Sequence, residues 1–171
     1  MEWLRKIDKN ILLKIQNDLR NDDRTKKMKQ ITSLADKGWF WIAMALFFII
    51  MKGTRKEGKA IAVALLLAAF ATNIVLKPLA KRPRPYDSVK GLERLIPEQQ
   101  DWSFPSGHTT ASFAASGIIY LMISEGLGAA MLALASTIAY SRMYLGVHYL
   151  TDVMAGISVG LGSALIVDAI V

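Results

Sequence analysis

Cysteine is missing from the 171 residues, which excludes a disulfide scaffold, a cysteine nucleophile and thiolate zinc or iron–sulfur centres. Histidine is nearly missing too: His108 and His148 are the only two, so any imidazole chemistry rests on them. Charged residues make up 20% against 53% hydrophobic, too apolar for a disordered tail or a highly charged solvating protein. Acid is the scarcer sign, with 14 Asp+Glu against 21 Lys+Arg and a net charge of +7. That excess suits a nucleic acid, an anionic membrane surface or a phosphorylated substrate. The length suits one domain, 1–171.

Charge is absent in a pattern. No Asp, Glu, Lys or Arg occurs in 38–51, 60–76, 109–124, 126–141 or 153–167. Each window approaches the roughly 17–25 residues of a membrane-spanning helix, and each extends if a flanking Lys or Arg snorkels or a charge faces the protein interior. The expected spans are 33–52, 59–80, 104–124, 126–145 and 147–170. A soluble protein of this size would lack the polar surface to cover five such helices, so the expected fold is an all-α integral membrane bundle. Trp39, Phe40 and Trp41 stand where an aromatic belt would lie. Gly156 and Gly160, with Gly162 nearby, suit close helix packing, or merely reflect a glycine-rich membrane helix.

Residues 1–30 read differently. Trp3, Ile7, Ile11, Ile15 and Leu19 recur at i+4, with Lys6, Lys9, Lys14 and Arg20 between them. Such a helix carries too much charge to span and is expected to lie in the membrane interface; a partner-binding helix is the rival. No apolar h-region with a cleavage site is read at the start.

Five alternating spans put the N-terminal helix, the 77–104 loop and the 142–152 turn on one side, where both histidines fall. His148 and Asp152 are four apart, so on a helix the carboxylate can hold one imidazole nitrogen and leave the other as nucleophile or base. An ordinary surface pair fits equally well. Arg142 needs a chain break to return to them, and Gly146 offers one. Pro105-Ser106-Gly107-His108 reads as a helix start, with backbone N–H groups and the dipole making an anion site and His108 placed to hand over a proton. A plain N-cap is the alternative. Lys77, Lys81, Arg82 and Arg84 put four cations in eight residues, suited to phosphate oxygens or to lipid headgroups. Two histidines and Asp152 could ligate zinc, but Lys77, Arg84 and Arg142 would repel it, so no metal and no cofactor is expected.

These residues resemble the signature of the type 2 phosphatidic-acid phosphatase superfamily, which includes the vanadium haloperoxidases. Its three parts are K-x6-R-P, P-S-G-H and S-R-x5-H-x3-D. Here they read Lys77 to Arg84-Pro85, Pro105-Ser106-Gly107-His108, and Ser141-Arg142 through His148 to Asp152, with every position matched. The resemblance implies that His148 attacks phosphorus to form a phosphohistidine, Asp152 orients it, and His108 protonates the leaving oxygen and then activates water. Lys77, Arg84, Arg142, Ser106 and Gly107 would hold the phosphoryl oxygens. It also implies a membrane lipid phosphate as substrate, undecaprenyl pyrophosphate by size and span count. Phosphatidylglycerophosphate, phosphatidic acid and diacylglycerol pyrophosphate are alternatives; a haloperoxidase and a non-catalytic lipid binder are remoter ones. No nucleic-acid partner follows, and no oligomeric state.

Basic residues number 17 on the active-site side against 4 on the other. That favours a cytoplasmic site, whereas the resemblance implies a cell-membrane protein with its site on the extracytoplasmic face, the expectation adopted here. Loop 86–103, with Leu92, Leu95, Ile96 and Trp102, is the expected tail entrance.

Overall fold

The computed structural model describes residues 2–171, and among them every regular element is helical. Helix α1 (Glu2–Lys14) runs on as a π turn to Leu19 and is followed by α2 (Asp22–Ser33). The 1–30 stretch is therefore two helices rather than one. Asn21 ends the first by adopting extended backbone, and its side chain accepts from Arg24 N–H at 2.8 Å, an N-cap. The bundle core is α3 (Trp39–Ile50), α4 (Arg55–Ala69), α7 (Gly107–Ile118), α8 (Glu125–Tyr144) and α9 (Leu150–Ile170). Two short helices, α5 (Lys77–Ala80) and α6 (Pro85–Ser88), lie in the connection after α4.

The five core helices fall on the five charge-free windows. Asp22–Ile50, Arg55–Ser88 and Leu150–Ile170 are long and apolar enough to cross a membrane. The remaining two differ in character. Helix α7 is short, small-residue-rich and buried at nine of its 12 positions, because it forms the axis on which α4, α8 and α9 pack. Helix α8 is long enough, but Gly, Ser, Thr and Arg142 dilute its hydropathy. The outer surface carries exposed Leu46, Phe47, Ile50, Leu66, Phe70, Leu165 and Ile166, an apolar belt that only a bilayer covers at acceptable cost. This is an integral membrane helical bundle.

Glycine builds the α7–α9 contact. A Cβ on Gly160 would meet the Thr110 carbonyl at 2.5 Å, and one on Gly156 would meet the Ser106 carbonyl at 2.9 Å. The small-residue face thus brings α9 against the first turns of α7, where the P-S-G-H segment lies. The aromatic belt fits Trp39 alone, which is exposed. Trp41 is fully buried and donates from Nε1 to Ser112 Oγ at 2.9 Å.

Helix α1 also departs from its apolar stripe. Trp3, Ile7 and Leu19 are exposed, as an interfacial face would be, but the protein side holds Asp8, Leu12 and Ile15. The helix is clamped onto the active-site end rather than lying free: Gln16 Nε2 donates to the Gly91 carbonyl at 2.8 Å, and Arg20 Nε to the Tyr144 carbonyl at 3.0 Å.

Candidate active site

The three motif segments converge at one end of the bundle by chain breaks. Lys77 and Arg84 stand on different elements. Helix α5 stops at Ala80, Lys81 takes a left-handed φ of 42°, and Arg84 precedes α6 in extended backbone. Likewise His148 lies outside α9, for Tyr149 is its N-cap and Asp152 accepts the Tyr149 N–H at 2.9 Å. Gly146, at φ 76°, reverses the chain after α8, so His148 N–H reaches the Arg142 carbonyl at 3.3 Å. A side chain there would also strike the Glu93 carbonyl, 2.7 Å from a Cβ.

The inner half of the site is built around Asp152, and His148 Nδ1 is the atom there without a hydrogen-bond partner among the described residues. Asp152 is buried and accepts from Arg82 Nη1 at 2.7 Å, from Tyr149 N–H and from the Ser103 hydroxyl. Its Oδ2 lies 3.5 Å from His148 Nδ1, an electrostatic pairing longer than a hydrogen bond. On the other side of the ring Arg84 Nη1 stands 3.3 Å from Nε2. A guanidinium can only donate, so the neutral ring carries its proton on Nδ1, facing Asp152, and its lone pair on Nε2, beside Arg84.

The outer half holds cations and exposed acids. Asp101, half-exposed, bridges Lys77 and Arg84: its Oδ1 accepts from Arg84 Nη2 at 2.6 Å and its Oδ2 from Lys77 Nζ. Partial burial opposes its ionisation, but the Lys77 and Arg84 hydrogen bonds and charges outweigh that and hold its carboxyl at about 2. His108 Nε2 is 2.9 Å from Asp36 Oδ1, another exposed carboxylate. Arg142 is buried with Nη1 on Thr32 Oγ1 at 2.6 Å, and its Nε has no partner among the described residues. A buried, incompletely paired guanidinium is costly unless an anion completes it.

Ser106 and Gly107 begin α7, but Pro105 precedes the N-cap rather than opening the helix. The Ser106 N–H is committed to the Asp152 carbonyl at 3.1 Å, so Ser106 offers its hydroxyl only. The first turn of α7 lies beside the cation: a Cβ on Gly107 would stand in ordinary contact with Lys77 Nζ, at 3.6 Å.

A cavity of about 600 Å³ opens from this end between α3, α4 and α7. Lys77, Asp101, Gly107 and His108 form its polar end; Ile42, Leu46, Ile49, Leu65, Leu66 and Ala69 line the rest. Where α4 passes into a π segment, Phe70–Leu76, Thr72 and Asn73 add polar atoms to the wall. The expected entrance in loop 86–103 is not where the groove lies. Leu92 packs on Leu12 and Tyr149, and Leu95 and Ile96 on Tyr144 and Val147, so these side chains anchor the loop.

Sequence reasoning missed Asp36, Asp101, Ser103 and Thr32, each of which contacts a motif side chain from outside the motifs, and Asp8, which reaches Asp152 only through Arg82. Arg82 carried a signal, as a cation beyond what snorkelling requires. Among the described residues no three His, Asp or Glu side chains converge in a metal-binding group, and the cations around the two histidines suit an anion.

Residues 57–171 match the family model of the PAP2 superfamily. Undecaprenyl-diphosphatase of Sulfolobus acidocaldarius is 32% identical over 120 residues, 69% of this chain and 57% of that protein. This chain therefore spans little more than half of that relative. Decaprenylphosphoryl-5-phosphoribose phosphatase of Mycobacterium tuberculosis is 32% identical over 131 residues, 76% of this chain and 71% of that protein. Aquifex aeolicus LpxE superposes with a TM-score of 0.83 at 25% identity, covering 94% of both chains. The first transmembrane PAP2-type phosphatidylglycerolphosphate phosphatase from Bacillus subtilis has the same fold, with a TM-score of 0.84 at 22% identity, over 99% of this chain and 87% of that one.

Proposed function

From the premise that the chain belongs to the PAP2 superfamily, we propose that it is a membrane lipid phosphatase using a phosphohistidine and no metal. Undecaprenyl diphosphate is its first candidate substrate. One observation carries the reading: Arg84 stands beside Nε2 of His148 and shares Asp101 with Lys77, Lys77 and His108 line the polar end of an apolar groove, and buried Arg142 keeps an Nε with no partner among the described residues.

The chemistry follows from these positions. The His148 Nε2 lone pair attacks phosphorus while the bond to the leaving oxygen breaks, and Asp152 stabilises the charge left on the ring. His108 gives the leaving oxygen its proton, then takes one from the water that releases phosphate. The transferred phosphoryl spreads negative charge over three oxygens, so positioned cations and N–H donors supply most of the stabilisation. Lys77, Arg84, Arg142, the Ser106 hydroxyl and the Gly107 N–H are those donors. The groove takes the lipid tail, which keeps the phosphate at the membrane surface.

The undecaprenyl preference is supported by the Sulfolobus acidocaldarius relative and by the long apolar groove. We further propose five spans with the site on the extracytoplasmic face of the cell membrane; cysteine labelling at Ser88 in intact cells tests that face.

The test of function is phosphate release by purified protein in EDTA from a panel of lipid phosphates, wild type beside His148→Ala. Release from undecaprenyl diphosphate that the variant abolishes supports the proposal, and a stronger release from phosphatidylglycerophosphate or phosphatidic acid reassigns the substrate. A strict Mg²⁺ requirement, or full activity without His148, sinks the mechanism.

A further inference from the structure

Asp8 is an anomaly on α1. It lies between exposed basic residues on an amphipathic helix, yet only 1% of it is exposed. A carboxylate so buried needs partners to remain charged. It has three: Arg82 Nη2 at 2.7 Å, the Thr151 N–H at 3.0 Å and the Thr151 hydroxyl at 2.6 Å. The same Arg82 reaches Asp152 Oδ1 at 2.7 Å and Thr151 Oγ1 at 2.6 Å through Nη1, with its guanidinium 3.9 Å over the Tyr149 ring. One guanidinium is thus clamped between two carboxylates, one from α1 and one from the nucleophile's own support. Asp8 precedes the matched family segment 57–171.

Charge accounting gives this clamp a consequence. Arg82 and Asp152 alone would form a neutral pair, and the positive charge that His148 gains on bonding phosphorus would face little opposing field. Close charges in a poorly solvated site act several-fold more strongly than in water, so this cancellation would matter. Asp8 supplies a second negative charge, leaving the cluster at a net −1 toward His148. We propose that Asp8 is a positioning residue for the phosphotransfer: it neutralises Arg82 and leaves the charge of Asp152 undivided for His148. It exchanges no proton and touches no substrate; its effect runs through Arg82 and Asp152. This proposal rests on His148 being the nucleophile.

The test compares wild type, Asp8→Asn, Arg82→Gln and the double variant Asp8→Asn/Arg82→Gln, with His148→Ala alongside, on release of phosphate from undecaprenyl diphosphate. By analogy with groups that support a metal ligand, Asp8→Asn should lower kcat roughly 10–100-fold, with KM within about twofold because no phosphate contact is lost. The double variant should recover most of that loss, since its unmatched cation is gone and the two amides can still bridge Thr151 and Asp152. A role in packing alone makes the double variant as slow as Asp8→Asn or slower. That result, or Asp8→Asn within twofold of wild type, overturns the proposal. If Asp8→Asn does not fold, the double variant is read against wild type directly: activity within about tenfold supports the proposal, a greater loss overturns it. Undiminished release by His148→Ala defeats the reading of the site itself, and the proposal with it, whereas an inert His148→Ala beside a normal Asp8→Asn defeats the proposal alone.

Discussion

The inner and outer halves of the site are held by acids of opposite kinds. Asp152, on the inner side, is buried and receives Arg82, the Ser103 hydroxyl and a backbone N–H. Asp101, on the outer side, is half-exposed and bridges Lys77 and Arg84. The first cannot leave without orphaning several donors, so it keeps one orientation of His148. The second stands on cations that a phosphoryl group would claim, and solvent can take it up when displaced. On the proposed mechanism the nucleophile is therefore fixed in advance, while the anion pocket is kept occupied by a replaceable charge.

Removing the fixed acid should have the largest effect. Asp152→Asn should lower kcat by up to about 10⁴, the scale seen when the carboxylate of a hydrolytic triad is neutralised, and steady-state phosphate release checks it. Next is the anion pocket. Arg142→Ala should cost roughly 10²–10³ in kcat/KM, as loss of one preorganised donor does; a loss below tenfold would mean that the buried guanidinium does not meet the transferred group.

The exchangeable acid should behave in the opposite sense. Asp101→Asn removes the competitor for Lys77 and Arg84, so inorganic phosphate and vanadate should inhibit more tightly, by roughly tenfold (about 1.4 kcal/mol). Unchanged inhibition would mean that phosphate binds without displacing Asp101. Its pH dependence sharpens the contrast. The carboxyl is lowered from 3.8 to about 2 in the folded protein, so its link to Lys77 and Arg84 is fully present above pH 3.8 and is lost as pH falls towards 2. Asp101 then contributes no limb to an activity profile between pH 5 and 8. On the proposed mechanism a limb in that range belongs to the histidines, His148 neutral to attack and His108 charged to donate, and Asp101→Asn should leave it in place.

The smallest effect concerns the tail. Ala69→Phe narrows the groove and should raise KM for a long-chain lipid phosphate several-fold, leaving a short-chain soluble phosphate ester unaffected. Equal effects on both would remove the groove from substrate binding.

The sequence disclosed what is local and concealed what is brought together by folding. The five charge-free windows became the five core helices because apolar runs and helix length act along the chain. Lys77, Arg84, His108, Arg142, His148 and Asp152 stood out by spacing and by their match to a known signature. The break expected at Gly146 is present and returns Arg142 to His148, whereas the helical pairing of His148 with Asp152 is not, because His148 precedes the N-cap of α9; Lys81 adds a second turn that the spacing does not show. Asp8, Asp36 and Asp101 could not be found because their partners lie far along the chain: 74 and 143 residues for Asp8, 72 for Asp36 and 24 for Asp101. On α1 the i+4 stripe divides, with Trp3, Ile7 and Leu19 exposed and Ile11 and Ile15 packed on protein, since a helix at an interface has two apolar neighbours, bilayer and protein, and periodicity does not say which.

The most direct test is to trap the intermediate. His108→Ala should still be phosphorylated, through loss of a good leaving group, but should be slow to hydrolyse. Brief incubation with undecaprenyl diphosphate carrying a radiolabelled terminal phosphate should leave label on the protein that survives base and is lost in acid. His148→Ala should take up none. Label that persists without His148, or turnover with no labelled protein under any quench, would contradict a phosphohistidine at His148.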